Sequence, residues 1–230
     1  MEKKISLIIP AYNEAKQIGR VLKTVKNHPL IGEVIVVNDG STDETSKEVK
    51  KYRFVKLIDL EKNSGKAYAV KKGVSKAKND IIMLLDADLI NLKKENITQL
   101  GLPVIEGIAD ITLSLRNYTS IVGAILNLSK VDWLTGDRCL KKSFFNSLKI
   151  TKSTKYGLEV VMNEQIILEN LKITVVDFRN VSCVYKIGKL GLYQGILGEV
   201  KATKQIFKSM PPLKIAVQMI KLAKLKKTNF

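Results

Sequence analysis

An α/β fold, with a doubly wound and mostly parallel mixed sheet covered by helices on both faces, follows from three features of the sequence. Short apolar runs recur at Ile5–Ile9, Val34–Val37, Val55–Ile58 and Ile81–Leu85. Segments of helical period separate them, as at Ile18, Val21, Leu22 and Val25. Three of the runs end in polar or acidic residues, in IIPAYNEA, VVNDGSTD and LLDADL. Strand alternating with helix argues for a parallel sheet whose strands are buried on both faces. A polar group at a strand's carboxyl end, just ahead of a helix, is how such sheets present chemistry to a ligand.

The elements can be justified in chain order. MEKKISLIIPAYNEA starts with charges, but its apolar run is about half of what a signal-peptide core or spanning helix needs, so it reads as the first strand. Asn13 is placed to cap the first helix, Thr42 or Ser41 the second and Ser64 the third. Beyond Asp88, NLKKENITQLGLPVIEGIA is helical and DITLSLR is a strand. SIVGAILNLS is an apolar stretch of open shape, and a further strand ends at WLTGDR. YGLEVVMNEQIILENL begins a long helix with Leu158, Val161, Ile166, Leu168 and Leu171 apolar, followed by strands at ITVVDF and VSCVYK.

Composition bounds the function. A chain of 230 residues that is 45% hydrophobic builds one full-sized core. Two cysteines, Cys139 and Cys183, are too few for a disulfide framework and too far apart for a zinc motif, so a reducing, cytoplasmic setting is expected. The longest uncharged run, Asn117 to Ser129, falls well short of the roughly 20 apolar residues that cross a bilayer. A net charge of +17 points to an anionic partner or serves solubility alone. Nucleic acid is not the expected partner, because the lysines are scattered rather than interleaved with aromatics, which make up only 6% of the chain. The tail PPLKIAVQMIKLAKLKKTNF reads as a basic amphipathic helix over residues 211–230. It fits a last helix packed on the sheet with its lysines in water, or one lying on the anionic inner face of a membrane.

The chemistry gathers at the strand ends. Asp86 and Asp88 in DADL are spaced so that both reach one cation, and their oxygens suit Mg2+ or Mn2+ with positions left for phosphate. NSGKAYAVKKG sets Gly65 and Lys66 at a helix start, where backbone N–H groups and a positive charge can meet an anion. Neither G-x-x-x-x-G-K-[ST] nor G-x-G-x-x-G occurs, so a nucleotide would be held by another geometry.

PAYNE, VVNDGSTD, NSGKAYAVKKG and DADL, in this order and spacing, resemble the nucleotide-sugar half of a family-2-type glycosyltransferase with the GT-A fold. The resemblance implies that Pro10, Ala11, Tyr12, Glu14 and Asp39 hold the nucleoside of a UDP- or GDP-sugar and that Gly65 and Lys66 line the same pocket. It implies that Asp86 and Asp88 bind a metal on the diphosphate. LTGDR is similar to the turn that closes over the sugar in such enzymes, with Gly136 giving close backbone approach. YGLEV and the order that follows it, through LKITVVDFRNVS to KLGLYQG, resemble the glucosyl-3-phosphoglycerate synthases and similar bacterial transferases. On that pattern Glu159 is the carboxylate near the sugar, with Asp137 and Glu164 behind it. Cys183 stands where the subgroup usually has a metal-binding histidine, while the chain's one histidine, His28, reads as a surface loop residue. Residues 1–210 then form one domain, with a donor half at 1–89 and an acceptor half at 90–210.

The expected activity is metal-dependent transfer of a hexose from a nucleotide-diphosphate sugar to an anionic or lipid-linked acceptor. A soluble phosphorylated acceptor such as 3-phosphoglycerate is the enzymatic alternative, and a basic nucleic-acid-binding or structural protein the nonenzymatic one. A nucleotidyltransferase would show a glycine-rich, basic loop near the amino terminus, which PAYNEAKQIG is not.

Overall fold

In the computed structural model, residues 3–116, 134–151, 157–183 and 212–229 are described. The apolar runs become strands β1 (Ile5–Ala11), β2 (Ile31–Asn38), β3 (Val55–Asp59) and β4 (Ile81–Leu84), separated by helices α1 (Ile18–Val25), α2 (Thr45–Lys50) and α3 (Lys66–Ser75). A short strand β5 (Leu89–Ile90) precedes helix α4 (Lys94–Ile105) and strand β6 (Ile111–Leu115). Strand β7 (Arg138–Lys141), helices α5 (Lys142–Ser147) and α6 (Leu158–Leu168), and strands β8 (Ile173–Asp177) and β9 (Ser182–Cys183) follow. Helix α7 (Pro212–Leu225) and strand β10 (Lys226–Asn229) complete the described chain. The stretch Ser120–Ser129, the start of YGLEV at Tyr156 and the segment KLGLYQG lie outside the described residues.

Eight strands form one sheet in the order β10-β8-β6-β7-β4-β1-β2-β3, and β5 pairs with β9 in a separate ribbon. The main sheet is parallel except for β7, which runs against both β4 and β6. The chain winds outward from β1 through β2 to β3, then returns to place β4 on the other side of β1. That reversal opens a crevice at the carboxyl ends of β1 and β4. Because β7 is antiparallel, the turn that enters it, Thr135 to Asp137, reaches the same edge, with Arg138 opposite Leu84.

Alternation along β1 divides the core. Leu7 and Ile9 join Val21, Leu22, Val36 and Leu100 on the side of α1 and α4. Ile8 faces the other way, among Val70, Phe144, Met162 and Leu222 on the side of α3, α5, α6 and α7. The central strands β1, β2 and β4 are therefore covered twice, which is why they read as apolar runs, whereas the edge strand β3 exposes Lys56 and Asp59. The predicted stripe of α1, Ile18, Val21, Leu22 and Val25, is buried throughout.

Several local expectations are corrected. Asn13, Ser41, Thr42 and Ser64 do not cap helices: no side chain caps α1, α2 or α3. Asn13 instead sits at φ 56° and accepts the Thr42 N–H at 2.9 Å, while Ser41 Oγ accepts the Asn13 N–H at 2.9 Å. These side chains bond loop to loop, a tertiary demand that outweighs the local one. LTGDR leads into strand β7 at Arg138, while the residues before Leu134, where the expected strand would run, lie outside the described residues. Leu168 is exposed, and α6 buries Leu158, Val160, Met162 and Ile166. His28 is buried rather than a surface residue: its Nδ1 accepts the Leu30 N–H and its Nε2 lies 3.1 Å from the Lys94 carbonyl oxygen. The tail does not stay helical, since 226–229 add a strand parallel to β8. Its expected apolar face is also rotated, with Leu222 buried against the core while Val217 and Ile220 are exposed.

Candidate donor and metal site

The opening of the crevice is built from polar residues that tie the loops together. Asn38, ending β2, donates to Asp59 Oδ1 at the end of β3 at 2.9 Å and accepts from Ser41 N–H at 3.2 Å. The Asp43 carboxylate accepts the Ala15 and Thr45 N–H groups at 3.1 and 3.0 Å, and Thr45 Oγ1 accepts the Glu14 N–H at 2.8 Å. The loops after β1, β2 and β3 are thus one latched unit. Gly40 turns it at φ 66°, and a β-carbon there would run into the backbone of Lys62 and Asn63.

Asp39 is buried, and its two carboxylate oxygens accept the N–H groups of Ser64 and Gly65 at 2.7 and 2.8 Å. It therefore fixes the head of α3, from which Lys66 reaches into the crevice. Pro10 and Ala11 end β1 and Tyr12 projects from it, exposed at the rim beside Glu14.

Lys66 Nζ lies 2.8 Å from Asp86 Oδ1 and 3.0 Å from Glu159 Oε1. Burial opposes its charge, but the pull of Asp86 and Glu159 outweighs that and holds its pKa well above the lysine range. Burial likewise pushes Asp86 up, and Lys66 and Arg116 together more than reverse it, leaving the carboxyl well below the carboxylate range. Glu159 reaches this point from the first turn of α6. Glu164 is exposed farther along that helix. Gly136 closes the wall: a β-carbon there would collide with the Lys66 ammonium and lie 2.9 Å from Asp86 Oδ1.

Asp137 is fully buried behind these groups. Its Oδ1 accepts the Asp86 N–H at 3.1 Å, and Oδ2 receives Ser114 Oγ at 3.3 Å and faces Arg116 Nε at 3.3 Å. Burial, against the pull of Arg116, pushes its pKa up to about 6.

The ribbon of β5 and β9 sets Cys183 directly opposite Leu89, one residue beyond Asp88. One oxygen each of Asp86 and Asp88 and the Cys183 sulfur lie within 4.8 Å of one another. The two carboxylates fit a hard divalent cation. The sulfur, a soft ligand, fits such a hard cation less well, and without metal burial pushes its pKa up to about 12. Arg116 stands among the three: Nη1 donates to Cys183 Sγ at 2.6 Å and Nη2 to Asp86 Oδ2 at 3.1 Å. Sequence reasoning missed this arginine. The signal was there, since DITLSLR is one more apolar strand that ends in a charge at the same edge.

A 4,4'-diaponeurosporenoate glycosyltransferase of Staphylococcus aureus is 37% identical over 102 residues, covering 43% of this chain. The match spans only 27% of that relative's length, about a quarter of it. The structure of glucosyl-3-phosphoglycerate synthase from Mycobacterium tuberculosis in complex with Mn2+, UDP and phosphoglyceric acid shares the fold. It aligns with a TM-score of 0.69 at 19% identity, over 85% of this chain and 78% of that one. A structure of the same enzyme with Mg2+ and UDP aligns at 0.66 and 20% identity, over 85% and 79%. Glycosyl transferase family 2 matches residues 6–154, well over half of the sequence, and the chain belongs to that family.

Proposed function

We propose that the protein transfers a hexose from a nucleotide-diphosphate sugar to an anionic or lipid-linked acceptor, with Mg2+ or Mn2+ as cofactor. The observation that carries this reading is the convergence of Asp39, Lys66, Asp86, Asp88 and Glu159 at one edge of the sheet, at its topological switch. The Mn2+ and UDP held by the structural neighbours support it. Pro10, Ala11, Tyr12, Glu14 and the loop shaped by Asp39 would hold the nucleoside, with the exposed Tyr12 ring at the rim. Gly65 and Lys66 would face the diphosphate, Lys66 bringing a charge that its carboxylate partners keep in place.

Asp86 and Asp88 would hold the metal, which supplies Lewis-acid neutralisation of the leaving diphosphate. Glu159 is the carboxylate positioned to steady a developing oxocarbenium ion or to take the acceptor's proton. Asp137, sealed from solvent, suits the orienting of Asp86 through its backbone N–H rather than contact with sugar. The acceptor's negative charge is suggested by the net charge of +17 and by the acids named for the relatives, diaponeurosporenoate and phosphoglyceric acid. The likeness to the phosphoglycerate enzyme favours, as a second reading, a small soluble phosphorylated acceptor.

Purified protein given a panel of UDP-, GDP- and ADP-sugars without acceptor should slowly release nucleotide from one donor, and a chelator should stop it. No release from any donor, with no donor binding by calorimetry, would contradict the proposal. Glu159→Gln should lower kcat by roughly 10²-fold or more while changing donor affinity little, within the range that a positioned acid or base contributes. A loss confined to affinity would make Glu159 a binding residue.

A further inference from the structure

The cation position beside Asp86 has a cation already built into the chain. The guanidinium of Arg116 is held along its whole edge, by Cys183 Sγ at 2.6 Å, Asp86 Oδ2 at 3.1 Å and Asp137 Oδ2 at 3.3 Å. Its side chain is only 8% exposed. The other Asp86 oxygen is taken by Lys66 at 2.8 Å. Both oxygens of the first aspartate in DADL therefore face fixed positive charge before any ligand arrives. A divalent ion placed between Asp86, Asp88 and Cys183 would compete with Arg116 for Oδ2 and for the sulfur. It would also sit within a few ångströms of a guanidinium that cannot lose its proton.

We propose that Arg116 is a tethered cation that holds Asp86 in place while excluding free divalent metal, so that metal enters together with the nucleoside diphosphate. The proposal rests on the nucleotide-sugar reading of the site. The metal dication would enter with a diphosphate that carries at least two negative charges, so that the pair brings no net positive charge into the site. Arg116 then finds in the phosphate oxygens the planar, two-toothed acceptor that its fork matches best. Its departure frees Asp86 Oδ2 for the metal. A lysine at this position would supply the charge but not three simultaneous contacts.

The test measures Mn2+ binding without nucleotide, by the electron paramagnetic resonance of free Mn2+, for the wild type, Arg116→Lys and Arg116→Gln. Arg116→Gln should bind Mn2+ at least tenfold more tightly than the wild type, with Arg116→Lys between them. Equal or weaker binding by folded Arg116→Gln overturns the proposal. Removing this charge next to buried Asp137 endangers folding, so a second measurement uses the wild type. The side-chain N–H resonance of Arg116, one of five arginines in the chain, is followed by NMR with Mg2+, with UDP and with both. It should shift with Mg2+ and UDP together and stay unchanged with Mg2+ alone at the same concentration. A shift with Mg2+ alone, or none when both are bound, overturns the proposal. Failure of UDP to bind under any condition would instead count against the nucleotide reading, and the Mn2+ affinity of Arg116→Gln would still decide the role of Arg116.

Discussion

His28 is held neutral by its surroundings: burial lowers its pKa from 6.5, against the Lys94 carbonyl oxygen that favours the charged ring. The Nδ1 atom accepts the Leu30 N–H, so the ring proton belongs on Nε2, pointing to Lys94. The unfolded chain binds a proton here more readily than the folded one. Stability from this site is therefore complete above about pH 6.5 and is lost as pH falls through that value toward the lowered folded pKa. Asp137, raised to about 6, acts in the opposite sense, gaining a proton in the folded state first. Comparing His28→Asn with the wild type isolates the histidine: the drop in Tm between pH 7 and 5 should be smaller in the variant, and an equal drop would contradict the assignment. Asp88→Asn should abolish metal-stimulated turnover with a change in stability of under about 1 kcal/mol, measured by denaturant titration. Cys183→His should tighten Mn2+ binding, because an imidazole nitrogen suits Mn2+ better than a soft sulfur, and equal binding in an Mn2+ titration would contradict this. At this scale the sequence showed where Asp39, Asp86 and Asp88 lie, just past strand ends, but not that both Asp39 oxygens are spent on the head of α3. It was not readable for His28, whose burial depends on α4 folding over it.

Helix α6 shows how an element is aimed. Glu159 and Asn163 lie four residues apart and so share a face. Asn163 Oδ1 accepts from Nη1 of the fully buried Arg138 at 2.9 Å, tying the helix to the start of β7. Glu159 is brought to Lys66 by this register as well as by its own ion pair. Asn163→Ala should cost about 1.5–3 kcal/mol, the usual value for a hydrogen bond to a charged group, and lower Tm by roughly 3–12 °C. It should also weaken turnover, because Glu159 loses its anchor; full stability in thermal melts would remove Arg138 from this role. The strands β1, β2 and β4 were legible because they are buried on both faces and so carry apolar runs. The caps were not, because Asn13 and Ser41 spend their hydrogen bonds between neighbouring loops, which local propensity does not register. Of the ribbon that delivers Cys183 to Asp88, β9 lies within the strand read at VSCVYK, whereas β5 is two residues long and leaves no periodic trace.

At the scale of the whole molecule, the tail joins the domain rather than hanging from it. Gln218 donates to the Val160 carbonyl oxygen, Leu222 is buried, and β10 extends the sheet beside β8. Among the described residues, no helix is long and apolar enough to cross a membrane. The outward face of α7 nevertheless mixes Val217 and Ile220, 44% and 60% exposed, with the exposed lysines 214, 221 and 224. If that face meets an anionic bilayer, the protein should sediment with vesicles containing acidic lipid at low salt, and Val217→Asp with Ile220→Asp should abolish this without lowering Tm. Absence of sedimentation by the wild type would remove the main support for a lipid-linked acceptor. The central claim, that the carboxyl edge of the sheet binds a nucleoside diphosphate through Asp86 and Asp88, is tested most directly by anomalous diffraction from crystals grown with Mn2+ and UDP. The account predicts one manganese peak within coordination distance of Asp88, with diphosphate density between it and Lys66. A nucleotide seated elsewhere, or no bound manganese at saturating UDP, would contradict it.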